Sequence, residues 1–487
     1  MNKKLFIWVL IGITVFGMVL RFWNYGQRFG LAYDQAHDAL VARSALNQGK
    51  LPLLGPFSSA GPFQTSGTWY WLIMVGTAIY PKSVLSPWVY LTLLCSLIIV
   101  CLGLLGSWVE NKRFGVIVAI LGAVSTAQIA QSINLTNQTP IAILATCCLM
   151  CSYLYLKKGK LLAAFGLGFF ASWAASIHLQ GVALGILVIL TLIFSEQFSF
   201  VGFILAFLGA IPPMLPLIIY DVGHKFINIK NMMYYYTKDQ FNISLDVLGR
   251  RWSTYLSVFW PREWALITGG NNLVALGIIV LSCIMFFYFV VKRNIQRFWV
   301  LVFVSFGCMV VLIRYTHVPL FSSFIVFTHP FVLLITAWVI DHTFSIHKYL
   351  GIIVFCIILI FSLMATRTEV SVSGNRATSL AVSARRTLTS MYPHETFSLY
   401  DWNYNTTGDS LPIVLYLEEH KLINPTSGRR IGVIGSKGNL ILNLPPIATF
   451  SSELVDLSAS SSSRLVQMGW HEVNPSAIYH QTEEWQE

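Results

Sequence analysis

The chain has 487 residues, 55% of them hydrophobic and only 11% charged, with a formal net charge of +11 and a mean hydropathy of +0.65. Soluble globular domains carry about 25% charged residues, so this composition excludes an ordinary soluble enzyme and describes a chain built for lipid. The positive excess does not call for nucleic acid, because much of it falls in short loops between apolar runs, where it sets topology.

Met1-Asn2-Lys3-Lys4 precede an apolar stretch over 5–20, and the following Arg21-Phe22-Trp23-Asn24 offers no small-residue cleavage site. The start therefore reads as an uncleaved membrane helix. Further apolar runs begin near Trp88, Val116, Ile141, Leu161, Leu179, Phe200, Leu273, Trp299, Leu320 and Leu350. With the first, that predicts a polytopic α-helical membrane protein of about eleven spans at roughly 20 residues each. The eight cysteines all lie inside apolar runs, where they act as small hydrophobes rather than disulfide or metal partners.

Placing Lys3-Lys4 in the cytoplasm puts Lys112-Arg113, Lys157-Lys158-Lys160, Lys292-Arg293-Arg297 and His347-Lys348 on the same inner side. The positive-inside rule then holds at every inner loop, provided the short apolar run at 67–80 does not cross. The expected location is the cell (inner or plasma) membrane, with the N-terminus cytoplasmic. The outer face receives a first loop at 21–87, a turn at 134–139, a second large loop at 221–272 and everything after 366. Two domains follow: a transmembrane domain over 1–365 and an extracytoplasmic domain over 366–487.

Residues 34–48 have the pattern of an amphipathic helix suited to the headgroup layer, ended by Leu51-Pro52-Leu53-Leu54-Gly55-Pro56. The tail reads as a small soluble α/β or α+β domain, with strands at 414–417 and 431–434 and a loop at 458–463. Its glycine-rich stretch at 431–438 lacks phosphate-loop and dinucleotide spacings and reads as a turn between strands.

Ionisable residues avoid the span centres, which argues against an ion-coupled carrier. They collect at predicted outer ends, where a transfer reaction would need a carboxylate to take a proton and cations to hold a phosphate. Tyr33-Asp34-Gln35-Ala36-His37-Asp38 is the densest such cluster near the start of the chain. Asp34 and Asp38 share a helix face if the helix has begun by Asp34; otherwise Asp34 is a cap and Asp38 an ion-pair partner. His178 stands at an outer helix end as either an interfacial hydrogen-bonding residue or a phosphate or acceptor contact. Asp221, His224, Lys225, Arg250-Arg251 and Arg262 gather in the second outer loop, suited to a polyprenyl phosphate headgroup or to interface anchoring. Arg314 and His317 mark a further outer end, and Arg314 is the better functional candidate because outer positive charge opposes topology preference. No group has convincing metal-ligand spacing; no cofactor is assured, and a divalent ion held by carboxylates from separate loops is the one alternative.

At these residues the chain resembles the GT-C class of integral-membrane glycosyltransferases, in particular bacterial relatives of protein O-mannosyltransferases and of the lipid A aminoarabinose transferase. The resemblance runs from Met1 to about Ala365. It rests on Tyr33-Asp34-Gln35-Ala36-His37-Asp38-Ala39, on the Gly49-to-Pro56 stretch and on Trp69-Tyr70-Trp71. The family's first loop commonly reads Tyr-Asp-Glu-Ala-Arg-Asp-Ala, so Gln35 replaces a carboxylate and His37 an arginine.

What the resemblance implies is an inverting transferase that moves a sugar from a polyprenyl-phosphate donor to an extracytoplasmic protein, lipid or glycan. Asp34 would be the general base. Asp38, His37, Asn137, His178, Asp221, His224, Lys225, Arg262, Arg314 and His317 would contact donor or acceptor. The implied partners are the lipid-linked sugar, membrane lipids and the acceptor, without nucleic acid. A lipid-linked-sugar carrier or flippase and a catalytically inactive lipid-sugar-binding relative are the alternatives.

Overall fold

The computed structural model describes residues 1–58, 63–195, 199–238, 252–314, 321–372, 374–402, 409–434, 444–450 and 452–475. Among them, eight helices are long and apolar enough to cross a bilayer. They include α1 (Lys3–Phe22), α5 (Ser86–Val109), α8 (Ile141–Lys158), α11 (Phe200–Gly223), α14 (Asn272–Val291) and α15 (Arg297–Arg314). The others contain α16 (His329–Ile346) and α17 (Lys348–Ser371). Helices α6 (Lys112–Val124) and α7 (Thr126–Ser132) form an apolar pair bent by 57°, which makes a ninth span if the two cross as one broken helix. Two shorter apolar helices, α9 (Leu161–Ile177) and Leu179–Phe194, whose main part is α10 (Leu184–Phe194), stand at the remaining expected runs. The protein is thus a polytopic α-helical membrane protein.

The run at 67–80 forms α4 (Thr68–Ile79), a helix of 12 residues. At 1.5 Å per residue that is about 18 Å, well short of a hydrocarbon core of roughly 30 Å. Helices α9 and α11 meet backbone to backbone, because a Cβ at Gly168 would overlap the Ala206 carbonyl.

The bend between α6 and α7 is chemically complete. Ser125 takes an extended conformation and caps α7 through the Gln128 amide, which leaves the last α6 carbonyls without helical donors. The buried Arg21 guanidinium donates to Gly122 and Ala123, and Thr366 Oγ1 donates to Val124 at 2.8 Å.

Hydrogen bonds sort the loops onto two faces. On one, Lys112 Nζ donates to the Met1 carbonyl, Arg113 pairs with Asp341 at 2.8 Å, and Trp299 donates to Glu110. On the other, the residues around Gly30, Asn137, Gln180, Asn228, Asn375 and Glu419 interlock. The first face carries the Lys-rich loops and the second carries the first loop and the tail.

Three expectations need correction. The helix expected at 34–48 is α3 (Tyr33–Asn47), but it is not a free amphipathic surface helix: it buries Ala36, Asp38, Ala39, Leu40, Val41, Ala42, Ser44 and Ala45. Two neighbours cover it, α4 and the tail helix α19 (Ser410–Glu419). Residues 414–417, expected as a strand, lie inside α19, whose apolar run is buried on nearly every side and so carries no period to betray it. The second loop is not all surface. Residues 252–268, ending in α13 (Trp260–Thr268), dip into the bundle, where Tyr255 donates to Val310, Trp264 to Thr336, and Ser362 to the Thr268 carbonyl.

Beyond α17 come α18 (Arg376–Met391) and a five-stranded sheet in the order β5-β6-β4-β3-β7. Its central strands β3 (Phe397–Trp402) and β4 (Arg429–Ile434) are parallel and joined through α19, with β4 over the expected 431–434. The flanking strands β5 (Pro446–Thr449), β6 (Glu453–Asp456) and β7 (Trp470–Glu472) pair antiparallel. The expected 458–463 loop is a turn whose last two residues already belong to α20 (Ser462–Gln467), capped by Ser461. Half of the glycine-rich stretch, 435–438, lies outside the described residues.

Candidate active site at the first outer loop

Helix α3 is aimed by the three residues just before it. The Phe29 amide donates to Tyr25, that of Gly30 donates to Ile133 at 3.0 Å, and the Gly30 carbonyl accepts from Trp88 Nε1 at 2.7 Å. The carbonyls of Phe29 and Leu31 both accept from Asn375 Nδ2, at 2.9 and 3.2 Å. Position 30 must be glycine because any Cβ there would overlap the Asn134 side chain. Ala32 occupies the N-cap without a side-chain bond, so Asp34 falls in the first turn rather than at the cap. Asp34, His37 and Asp38 consequently lie at i, i+3 and i+4 on one face.

Asp38 is buried. Its Oδ2 accepts from Trp69 Nε1 at 2.7 Å, and its Oδ1 accepts from Tyr70 OH and His37 Nδ1, both at 3.2 Å. Both aromatic donors are fully buried on α4, which fixes the carboxylate against rotation. Burial, followed by the Asp38 charge, pushes the Tyr70 phenol well above its ordinary value and keeps it a donor. Asp38 meets the surroundings of the helix through His37, which is half-buried. With Nδ1–H committed to Asp38, His37 Nε2 has no hydrogen-bond partner among the described residues.

Asp34 differs in every respect. It is exposed and accepts no hydrogen bond among the described residues. Partial desolvation against the body of the protein, then the Asp38 charge, hold its carboxyl above the usual range, with His37 opposing. Such a group suits proton abstraction better than a fully solvated carboxylate does. Gln35 beside it has a buried Oε1 with no hydrogen-bond partner among the described residues.

On the same face of the bundle, Asn137 donates through Nδ2 to the Ile177 carbonyl at 2.7 Å, capping α9. His178 Nδ1 accepts from the Gln180 amide at 3.2 Å, which leaves the ring proton on Nε2, where Gln138 lies at 3.2 Å. The Gln138 atom placed there is Nε2, so its carboxamide must be flipped for the oxygen to accept that proton. Burial pulls the His178 imidazole down to about 4, so it stays neutral over the physiological range.

The remaining expected residues are held elsewhere. Asp221 is buried and accepts from the amides of Asn228 and Ile229 at 2.8 and 3.1 Å, joining α11 to α12 (Ile227–Lys238). Asn228 in turn pairs with Gln64 of the small hairpin before α4. His224 stacks on Tyr220 with ring centroids 3.9 Å apart, and Lys225 occupies a left-handed turn at φ 56°. Arg262 is paired with the buried Glu263 at 2.8 Å. Arg314 is buried and lies over the Trp252 ring at 5.7 Å. His317 and Arg250-Arg251 lie outside the described residues. The described residues include no group of three or more His, Cys, Asp or Glu side chains placed to hold a metal ion.

Sequence reasoning singled out Trp69-Tyr70 as a family-like run without assigning it a task. The available signal was an indole and a phenol in a helix that needs partners for two polar groups. Gln128 and His329, which meet each other inside the bundle, carried no signal of pairing.

No protein-family model matches the sequence, and no curated protein matches it. Solved structures do. ArnT from Cupriavidus metallidurans in the apo state superimposes with a TM-score of 0.61 at 10% identity, over 94% of this chain and 98% of that one. The chain has the ArnT fold. ArnT bound to undecaprenyl phosphate gives a TM-score of 0.63 at 11% identity, over 93% of this chain and 98% of ArnT. The archaeal oligosaccharyltransferase AglB from Archaeoglobus fulgidus, in complex with an inhibitory peptide and a dolichol-phosphate, gives 0.53 at 13% identity over 88% of this chain. The present chain spans 65% of AglB. ArnT and AglB are both GT-C glycosyltransferases, so the resemblance seen in the first-loop motif extends to the fold of nearly the whole chain.

Proposed function

We propose that this protein is an inverting glycosyltransferase that moves a sugar from a polyprenyl-phosphate donor to an acceptor on the extracytoplasmic side of the membrane. The observation that carries the reading is Asp34: a carboxylate without a hydrogen-bond partner among the described residues, raised above its usual range, one turn from a rigidly held Asp38. The ArnT fold supports the donor class, since ArnT has been seen with undecaprenyl phosphate and AglB with a dolichol-phosphate.

In this reading the acceptor's O–H bond breaks as its proton passes to Asp34, and the acceptor oxygen forms its bond to the anomeric carbon from the face opposite the phosphate. The bond from that carbon to the phosphate oxygen breaks, and its electron pair stays on the phosphate. The configuration inverts and one carboxylate suffices. The face bearing the first loop and the tail is the extracytoplasmic one, because the opposite face carries the Lys-rich loops.

The test is to incubate purified protein with a panel of polyprenyl-phosphate sugars and measure release of free lipid phosphate with and without candidate acceptors. Asp34→Asn should abolish release while leaving thermal stability within about 1 kcal/mol of the parent, as expected for an exposed polar substitution. Full activity in that variant removes Asp34 as the base. Movement of lipid-linked sugar across liposomes without any acceptor would instead establish a carrier.

A further inference from the structure

We infer that His37, backed by Asp38, is the cation that meets the leaving phosphate of the lipid-linked sugar. The inference rests on the transferase reading above and names the residue that handles the group opposite Asp34.

The geometry begins with Asp38. Three donors converge on its two oxygens, and two of them, Trp69 Nε1 and Tyr70 OH, belong to side chains fully buried on α4. A carboxylate held this way fixes the imidazole that donates to it, and it stabilises the ring when a second proton makes it an imidazolium. That second proton resides on Nε2, the atom of His37 with no protein partner among the described residues. His37 is thereby built to present one N–H outward, with a compensating negative charge behind it.

The spacing fits the reaction. His37 lies three residues after Asp34 on the same helix face, so their Cβ atoms are roughly 5–6 Å apart. An inverting displacement needs its proton acceptor and its leaving-group contact on opposite sides of one carbon, and two side chains one turn apart can flank it. Asp34 would face the attacking oxygen and His37 Nε2–H the departing phosphate oxygen, to which it supplies a hydrogen bond and a positive charge. No proton need transfer.

Arg28, Arg262 and Arg43 each have a carboxylate of their own. Arg28 is buried beside Glu369 and caps α1 through the Leu20 and Trp23 carbonyls. Arg262 holds Glu263, and Arg43 on α3 faces Glu418 and Glu419 of α19. The groups that face His37 are Asp34 and Asp38 from its own helix and Trp69 and Tyr70 reaching Asp38 from α4; Glu418 and Glu419, from the other helix packed on α3, are opposite Arg43.

The experiment measures binding of undecaprenyl phosphate to the full-length protein in nanodiscs between pH 6 and pH 9, for the parent, His37→Ala, His37→Gln, His37→Arg and Asp34→Asn. Loss of one charge-assisted hydrogen bond predicts roughly 10- to 100-fold weaker binding for His37→Ala at pH 6. His37→Arg should bind at least as tightly as the parent, and Asp34→Asn should keep the parent's affinity. His37→Gln can still donate to Asp38 but carries no charge, so it should match His37→Ala; it decides the matter if the alanine variant does not fold. Parent-like affinity in both uncharged variants would overturn the role of His37. Failure of the parent to bind undecaprenyl phosphate at any pH would instead sink the donor assignment of the transferase reading.

Discussion

Trp69→Phe, compared with Trp71→Phe, isolates what a buried charge adds to a hydrogen bond. Both indoles donate through Nε1 at 2.7 Å, Trp69 to the Asp38 carboxylate and Trp71 to the Pro52 carbonyl. Both substitutions remove the same donor and the same ring volume. A hydrogen bond between neutral partners contributes about 1 kcal/mol, and one to a charged group about 1.5–3 kcal/mol. Trp69 is fully buried, so its shortened ring also leaves a cavity costing roughly 1–2 kcal/mol, while the half-buried Trp71 leaves less. Trp69→Phe should therefore cost about 3–4 kcal/mol and Trp71→Phe about 1–2 kcal/mol. Reversible unfolding in bicelles gives both values, and lipid-phosphate release from a donor sugar gives activity on the same samples. Trp69→Phe should lose activity by about tenfold or more beyond Trp71→Phe, because Asp38 and with it His37 lose their fixed orientation. Equal costs for the two substitutions would refute the claim that Asp38 is held as a buried anion.

Three further outcomes follow from the same geometry. His178 is held neutral in the fold at about 4, against 6.5 for the unfolded chain, so its contribution to stability is complete above pH 6.5 and disappears as pH falls toward 4; His178→Gln should flatten unfolding free energy measured across that window. Arg262→Met strands the buried Glu263 and should cost about 3 kcal/mol, while Arg262→Met with Glu263→Met should recover most of it in the same unfolding assay. Lys225→Gly relieves a left-handed backbone at φ 56° and should stabilise by roughly 0.5–1 kcal/mol; unchanged lipid-phosphate binding in that variant would remove Lys225 from the donor contacts.

The apolar runs and the one-turn spacing of Asp34 and Asp38 were legible because each is a local pattern that the backbone period alone decides. The α6–α7 bend was not, because it depends on Arg21 and Thr366, residues 101 and 242 positions from the carbonyls they satisfy. Helix α3 was read as lying on a membrane surface for a similar reason. Its polar-spaced face is covered by α19, more than 360 residues later, and no property of 34–48 announces that neighbour. Asp38 was equally ambiguous in isolation: a buried carboxylate is readable only once Trp69 and Tyr70 are known to point at it. The stretch 414–417 misled because a buried helix flanked on all sides loses the amphipathic period that distinguishes it from a strand.

The grip of Asn375 on the carbonyls of Phe29 and Leu31, and of Glu419 on the Val84 amide, bears on how the protein is made. A ribosome adding about 5–20 residues per second needs roughly 17 to 70 s to cover the 344 positions between Leu31 and Asn375. Throughout that interval the first loop has been translocated but its last anchors have not been synthesised. The nascent protein therefore crosses the membrane many times with its reactive helix unsecured, and it becomes competent only when the final segment reaches the same side. On the proposed transferase reading, chains truncated before that segment would insert normally and remain inert, so the order of synthesis would itself guard a lipid-linked substrate against a half-built enzyme.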